Sequence, residues 1–121
     1  MTDLKIREME EEDLFNGFLE SLDSLRKASD LDSKKAKEIL KKIRSRPNHI
    51  IYVAVLGSKV IGSATIFIEP KFIHNGGSVG HIEDVVVRKE FQDKGVGQKL
   101  VEALLAYAKK NGGRFKFPGE R

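Results

Sequence analysis

The chain of 121 residues contains no cysteine. That excludes a disulfide framework, a thiolate zinc site and a cysteine nucleophile. No apolar run approaches the roughly 20 residues that span a bilayer, and Met1-Thr2-Asp3-Leu4 lacks a charged-then-apolar secretion signal. The expectation is a cytoplasmic protein with no membrane partner. There is no internal repeat, linker or low-complexity segment. No Gly-Lys-Ser/Thr follows a glycine loop, which excludes the P-loop, and the three-glycine spacing of the dinucleotide fingerprint is not met.

What is present suits one domain spanning 1–121, large enough to remove roughly two-thirds of the unfolded chain's surface from water. Twenty-two basic and 18 acidic residues leave a formal charge of +4. Lys34, Lys35, Lys37, Lys41, Lys42, Arg44 and Arg46 cluster on one expected helix. No aromatic residues interleave with them to stack bases, and Glu38 breaks the run, so a solvated helix face is expected rather than a nucleic-acid surface.

Leu4 to Arg7 alternates and reads as a first strand. Acidic residues from Glu10 to Asp13 precede a helix whose apolar stripe is Leu14, Phe18, Leu22 and Leu25. Asp32 or Ser33 caps a second helix through about Arg44, with Ala36, Ile39, Leu40 and Ile43 facing the core, and Pro47 ends it. Ile50 to Leu56 and Val60 to Ile68 form a hairpin around Gly57-Ser58. Pro70 interrupts pairing, and Asn75 to Ser78 is a turn before the strand Gly80 to Val87. A last helix runs from about Val96, with Val96, Leu100, Leu104 and Ala108 as its stripe, to a stop near Asn111-Gly112-Gly113.

Between that strand and that helix lies Gln92-Asp93-Lys94-Gly95-Val96-Gly97. A strand passing through a glycine-punctuated loop into a helix gathers backbone N–H groups at one spot, where the helix dipole also favours negative charge. Side chains there would block a ligand's approach, hence two glycines. This is an anion site whose spacing suits a pyrophosphate. The preceding strand, otherwise buried in character, carries two adjacent carboxylates, Glu83 and Asp84.

Gln92-x-x-Gly95-x-Gly97 resembles the acyl-CoA pyrophosphate loop of the GNAT acetyltransferase superfamily. Lys71-Phe72-Ile73-His74, followed by Gly80-His81-Ile82-Glu83-Asp84-Val85-Val86-Val87, is similar to the corresponding stretch of the glucosamine 6-phosphate N-acetyltransferases. The resemblance covers roughly Leu4 to Lys110. It implies an α/β (α+β) GNAT-like fold, a mostly antiparallel sheet flanked by helices in the order β-α-α-β-β-β-α, shortened at the C-terminus. The family continues with a fifth strand, a fourth helix and a last strand, for which Arg114 to Arg121 is too short. Three remedies exist for the exposed fourth strand: a short strand from the tail, pairing with another subunit, or an open edge. Pairing with a second chain is the expectation, since the resemblance implies a homodimer.

The resemblance further implies acetyl-CoA as co-substrate, no metal, and acetyl transfer to an amino sugar phosphate, D-glucosamine 6-phosphate on the way to UDP-N-acetylglucosamine. It places acetyl-CoA against Val85, Val86 and Val87 and against Gln92, Asp93, Lys94, Gly95, Val96, Gly97 and Gln98. It places the acceptor against Lys71, Phe72, Ile73, His74, Glu83 and Asp84, with Glu83 and Asp84 the catalytic candidates. A regular strand aims only one of two adjacent carboxylates into a cleft, and a bulge would change that. A family threonine on the first helix falls at Arg26, with Ser29 nearby. The family's thiolate-protonating tyrosine would lie on the missing helix, and Tyr107 does not replace it. The rival expectations are a non-catalytic CoA-binding GNAT domain, a GNAT acting on a peptide or other small amine, and, ranked last, a basic nucleic-acid module.

Overall fold

The computed structural model describes residues 3–111 and the backbone of 113–116. Five strands form one sheet in sequence order: β1 (Leu4–Glu8), β2 (His49–Leu56), β3 (Lys59–Pro70), β4 (Ser78–Val87) and β5 (Gly113–Lys116). The first three pairings are antiparallel and the β4–β5 pairing is parallel. Helices α1 (Phe18–Leu22) and α2 (Ser33–Arg44) cover one face, where Phe18, Leu40, Val53 and Val60 share a buried cluster. Helix α4 (Val96–Lys110) covers the other, with Leu100 and Leu104 packed among Ile61, Ile66 and Ile82. Both cores follow from sequence period: apolar residues alternate on the strands and recur every three to four on the helices.

The expected first helix is broken in two. Glu11–Phe15 forms a 3-10 turn, and α1 begins only at Phe18 because the Asn16 carbonyl accepts the Val60 N–H at 2.8 Å instead of continuing a helical ladder. Leu25, counted in the stripe, is half-exposed. The second helix starts as expected, with the Asp32 carboxylate accepting the Lys35 N–H at 2.8 Å. Strand β3 pairs as far as Pro70 opposite Ser78, and Lys71 N–H closes the connection onto the Gly77 carbonyl at 2.9 Å. Within it, Ile73–Gly76 makes one helical turn, α3, where a plain turn was expected.

The expectation that another subunit pairs with β4 is corrected at its first half. Asn111 ends α4 by donating its N–H to Tyr107 and Ala108 carbonyls, and the chain's own Gly113–Lys116 returns alongside Ser78–His81. The tail therefore supplies a fifth strand.

A charged anchor holds the first connection. The Asp13 carboxylate, 4% exposed, receives two Arg7 hydrogen bonds at 2.8 and 2.9 Å and the Glu10 N–H at 2.7 Å. Burial pushes this carboxyl up, but the bonds from Arg7 and Glu10 together outweigh it and hold it below the ordinary value. Its contribution is therefore complete above the unfolded carboxyl value near ~4 and is lost as pH falls through the lower folded value. Asp13→Ala is expected to lower the urea-denaturation free energy by about 2 kcal/mol at pH 7, the half-exposed Arg7 reducing the penalty of a fully buried pair. The difference from the parent should shrink below pH 4.

Candidate active site

The pairing of β3 with β4 slips between Ser63 and Thr65: Ser63 faces Val86, whereas Thr65 faces Glu83. One extra residue is thereby accommodated on β4, a β-bulge, and Asp84 takes it up with φ of +53°. The bulge breaks the alternation of the strand. Ile82, ahead of it, and Val85 and Val87, after it, belong to the α4 side. Glu83 and Asp84 are both exposed and both line the same cavity on the opposite face. The two neighbouring carboxylates thus converge.

That cavity, about 320 Å³, lies between the helices α1 and α2 and the sheet. Its walls are apolar, with Leu19, Leu40 and Ile51 among them, and its polar groups are His49, Ser63, Thr65 and the two carboxylates. Thr65 sits directly across from Glu83, and Ser63 is buried. Burial lowers the His49 pKa, nearby Arg46 lowers it further, and Glu83 opposes both. Neutral imidazole is therefore the resting form near pH 7. An amine entering here meets two carboxylates against apolar walls, which suits binding an ammonium and taking its proton.

On its other edge β4 parts from its neighbour. The β5 pairing covers only Ser78 to His81, so among the described residues the Glu83–Val87 backbone has no partner on that side. Beyond it, the Gln92 side-chain amide donates to the Val87 carbonyl at 2.9 Å, pinning the loop to the strand end. Asp93 and Gly95 both adopt positive φ, +63° and +80°. Gly95 caps α4 in the left-handed region, and a β-carbon there would meet nothing within 4 Å, so the loop's outer side is open. The first α4 bond in the ladder runs from Lys99 N–H to the Gly95 carbonyl at 3.1 Å, and no side chain caps the helix. The N–H groups of Val96, Gly97 and Gln98 thus precede the ladder and remain for a ligand. A β-carbon on Gly97 would lie 3.7 Å from Val87 Cγ2 and 3.9 Å from Val85 Cγ1, ordinary contact distances, so the helix start lies close beside the strand end. The open strand edge and the loop therefore form one continuous strip of donors, which fits an extended thioester ending in a diphosphate. Val86, by contrast, is buried on the α1–α2 side and pairs with Ser63 on β3, its carbonyl turned toward Gly62, so it lies off the strip.

The Lys71–His74 segment leads away from Glu83. The Lys71 ammonium binds the Glu69 carboxylate at 2.9 Å, and His81 Nε2 shares the same oxygen at 3.0 Å. Hydrogen bonds from Lys71 and His81 hold the Glu69 carboxyl below its usual range. Phe72 is fully exposed and Ile73 largely so. The side chain of His74 lies outside the described residues. Arg26 sits in the loop between α1 and α2, where the Asp23 carboxylate accepts the Ala28 and Ser29 N–H groups at 2.7 and 3.0 Å. Tyr107, on α4, donates its hydroxyl to Asn48 Oδ1 at 3.2 Å.

The model of the Acetyltransferase (GNAT) family matches residues 6–117. The chain belongs to the GNAT acetyltransferase family. It is 36% identical over 111 residues to the glucosamine 6-phosphate N-acetyltransferase of Arabidopsis thaliana, covering 89% of this chain and 74% of that one. A protein of the same name from Trypanosoma brucei brucei is 33% identical over 114 residues, covering 93% and 76%. The crystal structure of the Arabidopsis enzyme superimposes with a TM-score of 0.91 at 33% identity, over 97% of this chain and 82% of that one. The GNAT fold and the resemblance to this acyltransferase group expected from the sequence are thereby both found.

His49, Ser63 and Thr65 were not anticipated in the GNAT cleft. Each is an unremarkable residue of a strand pattern, and only the β2–β3–β4 register brings them beside Glu83. His49 carries one local signal, a lone imidazole opening an otherwise apolar strand.

Proposed function

We propose that this GNAT domain transfers the acetyl group of acetyl-CoA to the amine of an amino sugar phosphate, D-glucosamine 6-phosphate. The observation carrying the proposal is the bulge at Asp84, which turns Glu83 and Asp84 together into a cavity on one side of β4 just where its other edge comes free. Similarity to enzymes named glucosamine 6-phosphate N-acetyltransferase supports the choice of acceptor.

When bound, acetyl-CoA supplies an acyl thioester whose carbonyl carbon accepts the amine nitrogen; a C–N bond forms and the C–S bond breaks. The loop Gln92 to Gly97 and the N–H groups at the start of α4, Gln98 included, hold the diphosphate. The donors along the free β4 edge within the Val85–Val87 stretch lie where negative charge grows on the carbonyl oxygen, and fixed donors are effective there because they need not reorganise. Glu83 and Asp84 hold the incoming ammonium and take its proton, leaving the nitrogen lone pair free. Lys71, Phe72 and Ile73, which do not line the Glu83–Asp84 cavity, are kept with His74 as acceptor contacts on the motif resemblance alone. The product belongs to the supply of UDP-N-acetylglucosamine, and the working unit is a homodimer in the cytoplasm.

Thiol release from acetyl-CoA is the direct test. Turnover with glucosamine 6-phosphate is expected to exceed that with polyamines or peptides by at least roughly tenfold, the discrimination that one well-placed charged contact supplies. Acetylation of a peptide with the amino sugar ignored would overturn the choice of acceptor.

A further inference from the structure

A recess of about 240 Å³ lies on the α4 face of the sheet, where the β2–β3 turn meets the end of β4. Leu56, Ile61 and Phe91 form its apolar wall, and Lys59, Arg88 and Glu90 its charged lining. It shares no residue with the carboxylate cavity, which opens on the opposite face, and none with the strip of donors on the free edge of β4.

The Arg88 backbone is fixed: its N–H donates to the Ile61 carbonyl at 2.7 Å, and its carbonyl accepts the Phe91 N–H at 2.8 Å. Its side chain is not matched in the same way. Nη1 is buried without a hydrogen-bond partner, and the guanidinium enters no ion pair among the described residues. Buried polar atoms are normally satisfied, and a charge drawn away from water without a counter-charge is costly. Lys59 and Glu90 are exposed and form no ion pair among the described residues either. Two cations against one carboxylate leave the lining with one net positive charge, and Arg88 is the least exposed of the three.

That combination selects its ligand. A single net positive charge matches a monoanion, whereas a phosphate monoester, at about −1.5 to −2 near pH 7, would overcharge the recess and meet Glu90. A planar guanidinium is shaped to pair with a carboxylate. Leu56, Ile61 and Phe91 offer apolar surface to a short hydrocarbon body. We propose that this recess binds a small aliphatic monocarboxylate, its carboxylate paired with the Arg88 guanidinium beside Lys59 and its hydrocarbon end against Phe91. The site is separate from the acceptor cavity and from the coenzyme A loop, and it depends on the reading of neither.

Butyrate is the probe, titrated into the protein with and without saturating coenzyme A, and the Phe91 ring resonances report occupancy. They are expected to shift saturably in both titrations, and 1-butanol, the neutral analogue, should produce no saturable shift. In Arg88→Gln the dissociation constant should rise about tenfold or more, the loss of a charge-assisted pair at a partly buried group. In Lys59→Gln, an exposed position whose replacement leaves the fold intact, it should rise about threefold. Lys89→Gln removes the same charge from the Lys89–Phe91 turn but outside the recess, and should leave the constant unchanged. A saturable shift seen only without coenzyme A would put butyrate in the loop and overturns the proposal. So does the absence of any saturable shift, an equal loss in Lys89→Gln and Lys59→Gln, or tighter binding of inorganic phosphate than of butyrate.

Discussion

Replacing Glu83 with Gln is expected to lower kcat/KM by roughly 10²–10³-fold, the lower part of the range of about 10²–10⁴ that a positioned acid–base group contributes. The melting temperature should stay within a degree or two of the parent. The separation of the two effects follows from the surroundings. Glu83 is exposed, and its side chain makes no hydrogen bond or ion pair among the described residues, so the fold does not depend on its charge. Substitutions at such positions usually stay within about 0.5 kcal/mol. Asp84 calls for a different substitution. Its φ of +53° lies in the left-handed region, which Asn tolerates as Asp does, whereas a β-branched residue would be strained by about 1–2 kcal/mol or more. Asp84→Asn therefore keeps the bulge and removes the charge. Rates of thiol release beside thermal melts decide the matter: if both variants keep more than half of the parental kcat/KM, the carboxylates do not serve the amine.

The same bulge marks where reading the sequence stops. Strand β4 and helix α4 were legible because Val85 to Val87 and the Val96, Leu100, Leu104, Ala108 stripe carry strong periodic signals, and Gly95 and Gly97 mark the loop between them. Alternation alone puts Glu83 and Asp84 on opposite faces, and no glycine or proline signals the slip; only the pairing with Ser63 and Thr65 reveals it. The interruption of the first helix is likewise set from a distance, by the Val60 N–H taking the Asn16 carbonyl. Gly-Arg-Phe-Lys is too short to show a strand pattern, and its parallel pairing depends on where α4 returns it. His49, Ser63 and Thr65 were hidden as cleft residues because each fits an ordinary strand pattern, and only the register of β2, β3 and β4 brings them beside Glu83.

The second large effect concerns the junction that lets β4 part from β5 while staying fixed to α4. A β-carbon on Gly62 would lie 2.8 Å from the Val86 carbonyl oxygen and 3.4 Å from both Leu100 Cδ1 and Val87 Cα. Leu100 is 0% exposed and cannot swing aside, and the other contacts are backbone. Gly62→Ala is therefore expected to destabilise the fold by about 2 kcal/mol, the range of core overpacking, with the melting temperature falling by roughly 6–12 °C. The 2.8 Å approach to the Val86 carbonyl is relieved by local separation of β3 and β4 at Val86, since lifting α4 would ease only the 3.4 Å contact with Leu100. That separation shifts the neighbouring Val87 carbonyl that anchors Gln92, and with it the loop ahead of α4. Coenzyme A affinity measured by calorimetry, well below the melting transition, should then drop at least about fivefold in a protein that is still folded. Leu100→Ala provides the comparison. It empties the same region without pressing on the strand, so it is expected to lose about 2–5 kcal/mol of stability with a smaller loss of coenzyme A affinity than Gly62→Ala. An equal loss of affinity in the two variants would mean that binding follows overall stability, not the position of β4, and the coupling between Gly62 and the loop would be wrong.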